Sequence, residues 1–174
     1  MAWLMKNSGG MNIERRPEAY LDDALKAELE KTVLPHYPTR RAATLPVLHA
    51  VQDKHGWLPY QALEEVAEFL GLSPSEVCDT ASFYEMFHLR PVGRHIIWVC
   101  QSISCELRGE HDIVTKIQEK LGIETGETTL DGKFTLMHAE CLGSCGSAPC
   151  CLVDDKLHED LTVENIDRIL DSVK

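Results

Sequence analysis

Four of the seven cysteines in this 174-residue chain fall within the eleven residues CLGSCGSAPCC, at 141–151. Cys141 and Cys145 form a C-x3-C pair, and upstream Cys100 and Cys105 form a C-x4-C pair. Thiolate sulfur is a soft donor, and four thiolates around one centre suit either zinc or an iron–sulfur cluster. Structural zinc sites favour C-x2-C knuckles, in which one tight turn presents both sulfurs to a single ion. Neither pair has that spacing. A two-iron cluster is wider, each iron taking two thiolates, so looser pairs suit it. The C-x4-C-x2-C run of plant-type ferredoxins is absent, and a Rieske centre needs two histidine ligands. The eight histidines are scattered without a ligand pattern, and a lone His138 reads as a strand residue with a hydrogen-bond partner. Spacing alone leaves iron and zinc both open.

The surroundings of these cysteines carry further information. Gly143 and Gly146 flank Cys145, and residues without a Cβ let backbone amides approach sulfur closely. Such N–H···S contacts tune a cluster's reduction potential; the plainer reading is a glycine-rich turn. An odd number of cysteines excludes complete internal pairing. No export signal is visible, so a reducing compartment is expected, where clustered cysteines bind metal or do redox work. Cys150 and Cys151 are neighbours, and adjacent strand residues point to opposite faces, so both cannot face one centre. Alternative ligands or a redox pair are open readings for them, with packing as small hydrophobes the default expectation, as it is for Cys78.

The elements that must position these residues read as two halves. Residues 18–33 place Leu21, Leu25, Leu29 and Val33 in one apolar stripe on a charged helix, which Pro35 and Pro38 stop. A second helix is expected over 39–55, with Pro46 either kinking it or marking its true start. Gly56 ends it. A third, YQALEEVAEFLG, closes at Gly71, with Glu64, Glu65 and Glu68 as a solvated face. Ser73, Pro74 and Glu76 then spell a capping box opening a fourth helix toward Phe83. Trp57, Phe83, Tyr84 and Phe87 are expected to pack in the core or between domains, with a partner-facing position as the lesser alternative for some of them. The first half is therefore a small helical bundle.

After a linker, HLRPVGR at 88–94, the pattern changes. HIIWVC at 95–100 is β-rich and ends on a cysteine. Residues 105–121 read as one amphipathic helix with Ile113, Val114, Ile117 and Leu121 on its apolar face. Following the Asp131-Gly132 turn, KFTLMHAEC and PCCLV read as strands, and LTVENIDRILDSV is a helix capped by Thr162. Both cysteine pairs thus lie at element ends, where backbone N–H groups are free to point at an anion. The order strand–helix–strand–strand–helix resembles a thioredoxin-like core, making the chain α+β.

Composition narrows the function. Hydrophobic content of 44%, charged content of 26% and a formal net charge of −11 fit a globular protein that binds no nucleic acid, or a subunit docking on a basic partner. No apolar run approaches the ~18–20 residues of a membrane span, so no direct membrane insertion is expected. The start, MAWLMKNSGGMNIERR, lacks an apolar signal core and reads as a disordered lead-in to a cytoplasmic protein, with Met11 a possible alternative start.

The runs ASFYEMFHLRPVGRHIIWVCQSISCELRG and ECLGSCGSAP, with TRRAATLPVLHAVQDKHGWLP upstream, resemble the 24-kDa, NuoE-type [2Fe-2S] subunit family of respiratory complex I. The likeness spans roughly residues 18–172. With the disordered lead-in taken as residues 1–17, the resemblance implies a helical bundle over 18–88 and a thioredoxin-like [2Fe-2S] domain over 89–174. It implies one [2Fe-2S] cluster held by Cys100, Cys105, Cys141 and Cys145. It further implies docking on the FMN- and NADH-binding, NuoF-type subunit of NADH dehydrogenase, in a hydrophilic arm peripheral to the inner membrane. FMN and NADH would be reached only through that partner. The chain itself shows no G-x-G-x-x-G after a strand and no P-loop, so no substrate site of its own is expected. Close relatives serve NAD-dependent hydrogenases and formate dehydrogenases, which the same residues would also fit. One departure stands out: after Ala148-Pro149, where the family is expected to carry apolar residues other than cysteine, this chain has Cys150 and Cys151.

Overall fold

The computed structural model describes residues 15–173, which divide into two compact units between Pro91 and Val92. The expected lead-in falls largely on residues 1–14, Met11 included, outside the described residues.

The first unit is all helix. In α1 (Asp23–Thr32) the Asp22 carboxylate caps the N-terminus by accepting from the Leu25 N–H at 2.8 Å. Leu21 and Leu29 are buried, and Leu25 and Val33 pack against the same core. A 3-10 turn carrying Pro35 follows, and a second one, Arg41–Ala43, leads into α2 (Thr44–His55). Pro46 is the third residue of α2, where the helix has no acceptor for an N–H, so it marks the start and does not kink the helix. α3 (Tyr60–Leu70) ends on Gly71, and α4 (Pro74–Phe83) opens with both hydrogen bonds of the Ser73–Glu76 capping box. Leu48, Val51, Leu58, Val66 and Val77 fill the space between them.

Two expectations for this unit need correction. Glu65 is not simply solvated: its carboxylate accepts from the Leu21 N–H and from the Gln61 side chain, both at 2.8 Å, holding the approach to α1 on α3. Of the aromatic residues, Phe87 is buried but Phe83 is 80% exposed. Residues beyond α4 remain part of this unit, because Gln52 bonds the Met86 carbonyl and the His88 N–H, and the Leu58 N–H bonds the His88 carbonyl.

The second unit is a four-stranded mixed sheet. β1 (His95–Cys100) lies beside the parallel β2 (Phe134–Ala139) and the antiparallel β3 (Cys151–Val153), and β4 (Lys156–His158) pairs antiparallel with β3. The sheet order is β2-β1-β3-β4. A parallel neighbour requires a crossover, supplied here by α5 (Ile103–Leu107) and α6 (Glu110–Leu121). With α7 (Val163–Ser172), whose Thr162–Asn165 capping box is complete, α6 covers a core of Ile97, Val99, Ile117, Leu136 and Ile166. The architecture is α+β, as the sequence pattern predicts.

The single helix expected over 105–121 is broken in two by Gly109, which sits at φ 94°. A residue with a Cβ pays about 1–2 kcal/mol in that left-handed region, so glycine here permits the turn between α5 and α6. β4 escaped sequence reading because it is only three residues long and two of them are exposed. Among the described residues no helix is long and apolar enough to cross a membrane. Gly109→Ala is expected to destabilise the protein by about 1–2 kcal/mol, read as a lowered urea midpoint with unchanged m-value.

Candidate metal centre

β1 ends on Cys100, and the chain turns at once into α5, with Ser102 as its N-cap and Cys105 as its third residue. The backbone here is fixed on both sides. The Gln101 N–H bonds the Ala139 carbonyl at 2.9 Å, and the Cys100 N–H bonds the Cys150 carbonyl at 3.1 Å. Val99 pairs with Cys151, so Cys100 comes to lie beside Cys150. By the alternation of a strand, Cys151 faces the core with Val99, while Cys150 faces the other way.

The sulfurs of Cys100, Cys105 and Cys150 all lie within 4.8 Å of one another, and Cys105 Sγ to Cys150 Sγ is 4.0 Å. All three residues are buried, with Ala148 beside them and Leu142 packed against the group. The peptide between Ala148 and Pro149 is cis. Backbone donors point at the sulfurs: the N–H groups of Ser102 and Leu142 at Cys100, and that of Cys150 at Cys105.

Burial by itself would push the Cys100 thiol up. The two amides and the neighbouring thiols of Cys105 and Cys150 more than offset it, holding Cys100 below the usual thiol range. Cys105 is pushed up, first by burial and then by the Cys100 sulfur beside it. Burial, with charge on Cys105, pushes Cys150 up too. Cys151, buried in the core, is raised to about 12 by burial alone.

Cys141 and Cys145 occupy the loop after β2 and are both exposed. Gly143 sits at φ 78°, a conformation suited to glycine, and its N–H bonds Cys141 Sγ at 3.4 Å. Cys145 opens a 3-10 turn, Cys145–Ser147. The loop is tethered at three points. Leu142 reaches the buried sulfurs, Arg108 Nη1 donates to the Gly146 carbonyl at 3.3 Å, and the Ser144 and Ser147 hydroxyls donate to Glu159. Arg108 therefore serves the cysteine loop through its backbone, a role the sequence did not reveal. His138 has Nε2 buried 3.6 Å from a Glu110 carboxylate oxygen, without the hydrogen bond expected for it.

Of the four cysteines singled out in the sequence, the structure packs Cys100 and Cys105 together. It leaves Cys141 and Cys145 on the adjoining exposed loop. Cys150, expected to be core, lies directly against the first two. Only the β1–β3 register reveals this, since alternation tells that Cys150 and Cys151 diverge but not which one faces Cys100. Among the described residues no histidine or carboxylate joins the three-sulfur group; Cys100 and Cys105, with their inward N–H groups and two further cysteines on the adjoining loop, fit an iron–sulfur cluster.

Comparison with known proteins agrees with that donor set. Residues 30–174 match the family described as thioredoxin-like [2Fe-2S] ferredoxin. The chain is 42% identical over 137 residues to the E subunit of the NADH-quinone oxidoreductase of Pseudomonas aeruginosa, covering 79% of this chain and 82% of that one. It is 37% identical over 163 residues to the protein of the same name from Escherichia coli, covering 94% and 98%. Among solved structures, an NAD+-reducing [NiFe]-hydrogenase in the air-oxidized state superposes with TM-score 0.66 at 25% identity, over 75% of this chain. The chain spans only 22% of that hydrogenase chain. With its family matched over most of its length, the chain belongs to the thioredoxin-like [2Fe-2S] ferredoxins.

Proposed function

We propose that this chain is the electron-carrying subunit of NADH-quinone oxidoreductase, complex I, and holds one [2Fe-2S] cluster on Cys100, Cys105, Cys141 and Cys145. The observation that carries the ligand set is the buried, amide-lined pair Cys100 and Cys105 beside a tethered loop bearing two further cysteines. When bound, such a cluster takes up and passes on one electron at a time. The chain supplies the rest. Cys100 and Cys105 anchor the buried side, and the N–H groups of Ser102, Leu142 and Cys150 offset the negative charge of sulfur. Cys141 and Cys145 form the side nearest solvent, where electrons enter and leave.

The partner is the FMN- and NADH-binding, NuoF-type subunit, through which alone the chain meets those cofactors. Placement in the hydrophilic arm, peripheral to the cytoplasmic face of the membrane, follows from that assembly. Ile103 and Leu107 support a docking face beside the cluster: four residues apart on α5, they are 68% and 81% exposed. A second reading, the equivalent subunit of an NAD-dependent hydrogenase, is favoured by the likeness to the NAD+-reducing hydrogenase. Copurification separates the two: membrane-arm subunits belong to complex I, a nickel–iron subunit to the hydrogenase.

Cys145→Ser is expected to lose most of its iron and acid-labile sulfide, whereas Cys150→Ser retains both. The reverse outcome, loss with Cys150→Ser and retention with Cys145→Ser, would move the ligand set by five residues. The double substitution Ile103→Asp and Leu107→Asp should weaken association with the flavin-bearing subunit by about tenfold or more, measured by gel filtration, with iron and sulfide content unchanged.

A further inference from the structure

The compactness of the three buried thiols has a consequence separate from the cluster. Zinc binds thiolate at about 2.3 Å, which places the sulfurs of a tetrahedral site ~3.8 Å apart. Cys105 and Cys150 are already 4.0 Å apart, and no pair among Cys100, Cys105 and Cys150 exceeds 4.8 Å. Three sulfurs converging on one point suit a single ion. A cluster of two irons needs a wider frame, and Cys141 and Cys145 on the adjoining loop offer one. All three residues of the group are at most 1% exposed, so charge interactions inside it are little screened. Two of the sulfurs receive backbone N–H groups, from Ser102, Leu142 and Cys150.

We propose that in the cluster-free chain Cys100, Cys105 and Cys150 bind one Zn2+ ion, in a site that shares two residues with the cluster and excludes it. Three Zn–S bonds form, three thiol protons leave to solvent, and water or a buffer ligand takes the fourth position. No electron is transferred. Cys150 is the residue that distinguishes the two uses of the site: it completes the single-ion site and is not needed by the cluster. An Ala148-Pro149 sequence followed by an aliphatic residue would keep the packing and lose the zinc site.

The test uses the full chain, purified cluster-free with reduced thiols under anaerobic conditions, and Zn2+ itself as the probe, in competition with a chromophoric chelator. One Zn2+ per chain is expected. Cys150→Val should weaken binding at least ~100-fold, and Cys150→Ser, which keeps a small polar side chain, should weaken it too. The double variant Cys141→Ser, Cys145→Ser should bind as the parent does. Urea unfolding midpoints of all variants establish that the binding differences are not loss of fold. Unchanged affinity in folded Cys150→Val, or loss in the Cys141/Cys145 double variant, would overturn the proposal. A further arm rests on the cluster assignment: preloaded Zn2+ should slow reconstitution with iron and sulfide in the parent and not in Cys150→Val. If the parent takes up no cluster at all, that assignment fails while the zinc titration still stands or falls by itself.

Discussion

The position of β1 between a parallel and an antiparallel neighbour is the constraint on which the site depends. Because β2 runs parallel to β1, both strands finish at the same end of the sheet, and the loop carrying Cys141 and Cys145 leaves beside Cys100. Because β3 runs the other way, its first residues lie at that same end, bringing Pro149 and Cys150 there as well. Two backbone hydrogen bonds, Gln101 to Ala139 and Cys100 to Cys150, fasten the junction. Residues far apart in the chain thus converge without long side chains having to reach. The first turn of α5 then returns Cys105 to within bonding range of the same group. A strand order without this mixed pairing would scatter the cysteines.

The site is asymmetric in a way that suits electron transfer. Its inner side is buried, lined by amides and, among the described residues, free of metal-binding side chains other than cysteine, which favours a firmly held, negatively charged sulfur frame. Its outer side is an exposed loop, held in place by Arg108, Glu159 and Leu142 but open to a partner surface. The neighbouring Ile103 and Leu107 are exposed apolar residues on α5. One electron-carrying centre at the rim of the sheet suits a subunit that passes single electrons within an oxidoreductase complex.

Much of this was legible in the residues. Helix boundaries marked by chemistry were readable to the residue, as at Ser73–Glu76, Thr162 and Gly71, because caps act locally. The two cysteine pairs were readable from type and spacing. What the sequence hid depends on pairing over long distances. The three-residue β4 has no periodicity to detect. Glu65 looked solvated because its partner, the Leu21 amide, lies forty-four positions away. Gly109 breaks what reads as a continuous amphipathic helix, since one glycine among apolar repeats is also tolerated inside helices. Cys150 is the most consequential case: its face is set by β-register, and that register places it against Cys100 and Cys105.

The direct measurement is the metal and sulfide content of the anaerobically purified chain, together with its EPR spectrum before and after reduction. Two irons and two acid-labile sulfides per chain are expected, with a paramagnetic signal appearing only on reduction. A zinc-free chain that takes up neither iron nor sulfide on anaerobic reconstitution, with no signal in either state, would contradict the [2Fe-2S] assignment.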